Sequence, residues 1–171
     1  MDKLALCPFT RFLLFIPMAL LVFSCQEDEK EPAPETYFIQ ATINNTVVEF
    51  KDQPSLGATT AHYGDQYELG IYGNIEEITG ILIQIYDTEP LGLGNYSGLV
   101  QTDNQMVGVR FSYVDEFDNY LTDLSNPEGS LTISMLNDTL VRGFFSGVVK
   151  KTSSEETLTI TNGEFFVKLV N

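Results

Sequence analysis

"LTITNGEFFVKL", residues 158–169, sets Asn162-Gly163 between two short runs in which apolar residues fall on every second position. That spacing is the period of a β-strand with one buried face. Asn-Gly between two such runs is the strongest short signal for a two-residue hairpin turn, because both turn positions favour positive φ. The stretch therefore predicts a closing hairpin that pairs Ile160 with Phe165 and Leu158 with Val167. Those four side chains, with Leu169, share the buried face, while Thr157, Thr159, Thr161, Glu164 and Lys168 take the other. Only Phe166 breaks the alternation, and it is expected to lie under another strand.

The same logic holds upstream. Tyr37 to Phe50 alternates around Asn44-Asn45, and a two-residue loop there sets Ala41 against Val48 and Ile39 against Phe50. Further strands are expected near 57–63, 66–73, 79–87, 95–100, 106–114, 129–136 and 140–149. Around Asn137-Asp138-Thr139 a two-residue loop would put Arg142 opposite inward-facing Ile133. A three-residue loop pairs Met135 with Val141 and Leu131 with Phe145, and is the register expected here. No stretch keeps a helical period for a helix's length. The fold class is all-β, an antiparallel β-sandwich or flattened β-barrel of about nine to ten strands.

The N-terminus has a different character. Lys3 and Arg11 precede an uncharged run from Phe12 to Ser24, the layout of a signal peptide. The run is too short for a membrane span, which needs about 20 apolar residues, and Pro17 would interrupt a helix. Leu21-Val22-Phe23-Ser24-Cys25 resembles the lipobox of bacterial lipoproteins. That resemblance implies removal of residues 1–24, diacylglycerol on the Cys25 sulfur and an acylated new amino terminus. Several acyl chains make a stable anchor, at about 0.8 kcal/mol per buried CH₂, where one chain is marginal. Gln26-Glu27-Asp28-Glu29 resembles the surface-export signal of Bacteroidota lipoproteins, which implies an outer-membrane address with the protein facing the cell exterior. Read from charge alone, the same four residues are a solvated linker. Residues 25–36 then form an acidic tether containing Pro32 and Pro34, able to reach roughly 30 Å, before a single β domain at 37–171.

Without residues 1–24, which carry Asp2, Lys3 and Arg11, the chain keeps 7 basic against 23 acidic side chains, net −16. Such a surface repels phosphate backbones, so nucleic acid is excluded as a partner. The two cysteines are Cys7 and Cys25, so the domain has no disulfide and must hold itself together through its core.

Four stretches together, "GNYSG" at 94–98, "GSLTISML" at 129–136, "VRGFFSGVV" at 141–149 and "LTITNGEFFVKL" at 158–169, resemble a family of uncharacterised small surface lipoproteins of Bacteroidota. The shared motifs are structural, and the resemblance implies an all-β lipoprotein without assigning a functional residue.

Catalytic constellations fail individually. His62 is the only histidine, and beside Tyr63 and Gly64-Asp65 it reads as a surface strand residue. No domain thiol exists for Cys-His chemistry. Gly143-Phe144-Phe145-Ser146-Gly147 lies in a strand pattern and lacks the nucleophile-elbow spacing, and the glycines at 92 and 94 precede no helix that would receive a phosphate. Asp115, Glu116, Asp118 and Asn119, with Phe117 among them, could gather oxygen ligands for Ca²⁺, although the spacing is not that of an EF-hand and a plain acidic hairpin loop accounts for it as well. Asp138-Thr139-Leu140 resembles the O-glycosylation acceptor of Bacteroidota, which implies a glycan at Thr139.

The expectation is thus a non-enzymatic module, held to the membrane by lipid at Cys25, without cofactor, structural or binding an unknown protein or glycan. The alternative is a carrier of a small ligand or glycan in a barrel cavity, favoured by 12 Phe and 8 Tyr, with Tyr standing in for the absent Trp as a stacking surface.

Overall fold

The computed structural model describes residues 36–51, 54–75 and 78–170. Cys25 and the acidic stretch Gln26, Glu27, Asp28 and Glu29 lie outside the described residues. The described chain is all-β: β1 Phe38–Ile43, β2 Thr46–Lys51, β3 Gly57–Tyr63, β4 Gln66–Ile75, β5 Thr79–Asp87, β6 Gly94–Ser97, β7 Leu99–Gln101, β8 Met106–Asp115, β9 Asp118–Leu121, β10 Gly129–Leu136, β11 Leu140–Lys151 and β12 Thr157–Lys168. All belong to one antiparallel sheet in the order β2-β1-β12-β11-β9-β8-β5-β4-β3, with β10 on β11, β6 on β10 and β7 on β8. It is not closed into a barrel. Its halves fold face to face as a sandwich: Gly73 of β4 packs under Phe50 and Ile39, and Gly129 and Gly147 lie against the Phe111 ring from the opposite layer. Short β9 links the layers, pairing Tyr113 with Tyr120 on one side and Lys151 with Tyr120 on the other. Where the strand order ends at β3, Ala58 bridges to Leu169.

Alternation explains the core. Ile81, Ile83 and Ile85 of β5, Val109 and Phe111 of β8, and Leu131 and Ile133 of β10 point inward at successive even steps and are buried. Each such side chain contributes roughly 1.5–3 kcal/mol, the source of stability in a domain with no disulfide.

At Asn44-Asn45 the expected turn is present, with both asparagines at positive φ and Ala41 paired with Val48 and Ile39 with Phe50. The closing hairpin is not. β12 runs unbroken through Asn162-Gly163, pairing with β1 on one edge and β11 on the other. On both edges two neighbour residues span three of β12, between Gln40 and Thr42 and between Phe145 and Gly147. The Asn-Gly pair is therefore a β-bulge, and Asn162 alone takes positive φ (51°). One extra residue shifts the alternation by one step. Leu158, Ile160, Phe165 and Val167 consequently all face the core, as expected, without pairing with one another. Phe166 is half-buried, with its ring 5.5 Å from that of Tyr37.

Three further corrections concern register and count. Leu131 does pair with Phe145, but Val141 faces Leu136 and Met135 faces Arg142, because Ser134 is an extra residue in β10 and bonds the Arg142 carbonyl from its hydroxyl (3.2 Å). The segment 95–100 is two strands with different partners, divided at Gly98, whose φ is 63° and whose N–H donates to the Gly129 carbonyl. Asp118–Leu121 is an additional strand, too short to show a period. The sheet has twelve strands, where nine or ten were expected.

Candidate functional site

Two concavities bring together polar groups near the two asparagine corners. The larger, about 600 Å³, is a groove on the outer face of β10, β11 and β12 beside the bulge, with Ser130, Thr132, Ser146, Thr161, Asn162 and Glu164 along it and Phe144 half-exposed at its side. Most of its polar groups are already engaged. The Ser130 and Ser146 hydroxyls share a hydrogen bond (3.0 Å), Thr132 donates to the Asn95 side chain (2.6 Å), and Arg142 pairs with Glu164 (2.8 Å).

The second, about 460 Å³, opens where the β1–β2 turn, the start of β5, the β8–β9 hairpin and the loop before β12 converge. Its floor is Ile43, Val48 and Leu158. Asn44, Thr46 and Thr79 stand on its rim, Asp115 and Glu156 are its charged residues, and Tyr113 and Tyr120 form one wall. The register explains the gathering. Tyr113 and Asp115 are two apart on β8 and share a face, Asp115 pairs with Thr79 across β5, and Tyr113 pairs with Tyr120 across β9. The tyrosine ring centroids are 6.3 Å apart.

Hydrogen-bond accounting separates this pocket from the groove. Tyr113 and Tyr120 are only 4% and 5% exposed, yet neither hydroxyl has a hydrogen-bond partner among the described residues. Neither is sealed off, since no buried side-chain oxygen or nitrogen among the described residues lacks a partner. The hydroxyls reach the outside through the pocket. Tyr96 makes the contrast: its hydroxyl accepts from the Gly92 N–H (3.0 Å) and donates to the Gly92 carbonyl (2.9 Å), which gives the 94–98 motif a structural job. Burial pushes the Tyr113 hydroxyl up to about 12, with Asp115 and Tyr120 adding to it, and burial followed by the Glu156 charge raises Tyr120. Both phenols are neutral at physiological pH.

The sequence-predicted residues are dispersed. Asp115 lines the pocket, whereas Asp118 turns to Lys151 (2.6 Å), and the intervening turn puts Glu116 at positive φ with Phe117 93% exposed. Among the described residues no group of three or more His, Cys, Asp and Glu side chains is arranged to hold a metal ion. His62 is exposed and stacks on Tyr67 at 4.1 Å. Thr139 is exposed on the β10–β11 turn, donating from its hydroxyl to the Asn137 side chain (3.1 Å). Tyr113, Tyr120 and Glu156 were not singled out as site residues from the sequence. The available signal was a tyrosine at each of two inward positions, since a core phenol demands a partner that Phe or Ile would not.

No protein-family model matches this chain, and no curated protein or solved structure matches it.

Proposed function

We propose that the protein is a non-catalytic binding module, anchored in the outer membrane by lipid on Cys25, facing the cell exterior and taking its ligand in the pocket walled by Tyr113 and Tyr120. The observation that carries the binding part is the pair of phenol hydroxyls that open into the concavity without protein partners, free to bond a ligand that displaces the water there. The lipobox resemblance carries the address.

Phe38 and the pocket residues Ile43 and Asn44 lie at opposite ends of β1, about 17–20 Å apart at 3.4 Å per residue. The open sheet, not closed into a barrel, supports the pocket at the sandwich end over a barrel lumen as the ligand site.

Metabolic labelling with a fatty-acid analogue, combined with protease digestion of intact cells, tests the address. Labelled protein that external protease degrades is expected, with the label lost in Cys25→Ala. An unlabelled wild type, or protein protected until the cells are lysed, would overturn it.

A further inference from the structure

The chemistry of the same pocket narrows the ligand class, on the premise that it is the binding site. Asp115 and Glu156 are the charged residues lining it, and neither Lys nor Arg lines it. The Asp115 carboxylate has no ion-pair or hydrogen-bond partner among the described side chains. Glu156 is met only at 3.7 Å by Lys151, whose ammonium belongs chiefly to Asp118 at 2.6 Å. That ammonium also sits 5.9 Å from the centroid of the Tyr120 ring, so a cation already rests beside this wall. Beneath are the apolar Ile43, Val48 and Leu158.

We infer that the pocket binds a primary ammonium group on a short apolar stem, the ammonium among the Tyr113 and Tyr120 hydroxyl oxygens and the Asp115 carboxylate, the stem over Ile43, Val48 and Leu158. A primary ammonium has three N–H donors and no acceptor, and two phenol oxygens with one carboxylate offer it three acceptors. A neutral ligand closing over Asp115 would bury a charge without compensating it, which a cation avoids. The volume suits a small molecule or the end of a larger one. The overall charge of −16 without residues 1–24 steers cations toward the surface, and the pocket gives them a place to dock.

The test titrates the full chain with n-hexylamine, n-hexanol and methyl glucoside at fixed ionic strength, by calorimetry and by the near-ultraviolet tyrosine signal. Hexylamine is expected to saturate one site and to bind about tenfold tighter than hexanol, the effect of one charge-assisted bond. Asp115→Asn should weaken it by about tenfold. Asp138→Asn removes the same charge from an exposed turn outside the pocket and should leave affinity unchanged. Tyr113→Phe should weaken the amine more than the alcohol. Hexanol or the glucoside binding as tightly as hexylamine would overturn the ammonium assignment and leave the pocket as the site, as would an Asp115→Asn protein with unaltered amine affinity. If no probe moves the tyrosine signal at tens of millimolar, both the assignment and the pocket fall.

Discussion

Two asparagine corners, Asn44-Asn45 and Asn162-Gly163, stand between alternating apolar runs, and the chain treats them oppositely. At the first, both residues take positive φ and the strand reverses. At the second, only Asn162 does, and the strand continues with one residue extra. The cause lies in what surrounds them. β12 has a partner on each edge, and both partners run past the bulge. Gly163 is pressed so closely onto the Phe145 carbonyl and ring that no side chain fits there. The first corner instead projects at the end of the sandwich and borders the pocket, where the Asn44 N–H donates to the Thr159 carbonyl (3.1 Å) and its side chain accepts a long bond from the Thr159 N–H (3.4 Å). One corner is locked by packing and the other is open to a ligand.

The largest expected effect breaks the locked corner. Gly163→Val forces a branched side chain into Phe145, so unfolding free energy should fall by about 3 kcal/mol or more, at the upper end of overpacking costs. An unchanged urea midpoint would mean that Gly163 is not packed in the sheet. The open corner responds next, through pH. The Tyr113 hydroxyl is raised in the folded protein to about 12 from an ordinary value of 10.0, so the unfolded chain loses its proton first. Below pH 10 the hydroxyl is neutral in both states and costs nothing, whereas as pH climbs toward 12 only the unfolded chain ionises and the fold loses on the order of 1–2 kcal/mol. Urea titrations between those pH values should show the fall, and Tyr113→Phe should flatten it. A slope indifferent to that substitution would contradict the burial of the hydroxyl.

Smaller effects sharpen the contrast between the corners. Asn162→Ala puts alanine in the left-handed region and should cost about 1–2 kcal/mol, with Asn162→Gly close to neutral. Asn45→Gly, at a true turn with φ of 67°, should change stability by a few tenths of a kcal/mol. Equal losses for Asn162→Ala and Asn162→Gly, read from denaturant midpoints, would show that the side chain and not the backbone conformation matters at the bulge.

Why the first corner was legible in the sequence and the second was not follows from periodicity. A two-residue hairpin and a one-residue bulge both shift the alternation by one step, so Leu158, Ile160, Phe165 and Val167 face inward either way. The core was therefore readable while the topology was not, because the choice belongs to β11 and β1, strands outside the stretch itself, β1 being more distant in sequence. Ser134 misled in the same manner, one extra residue moving Val141 from Met135 to Leu136. Of the site, Asp115 was visible as part of an acidic turn. Tyr113 and Tyr120 alternate like ordinary core residues, and only the absence of partners for their hydroxyls, a tertiary fact, marks them.

That absence is the central claim, and it has a direct measurement: the urea midpoint of the Tyr113→Phe/Tyr120→Phe double variant at neutral pH. Hydroxyls kept for a ligand contribute nothing to the free protein, so the midpoint should be unchanged or slightly raised. A loss of about 1–3 kcal/mol, the sum expected of two intramolecular hydrogen bonds, would show that the phenols are structural and that the pocket is not a binding site.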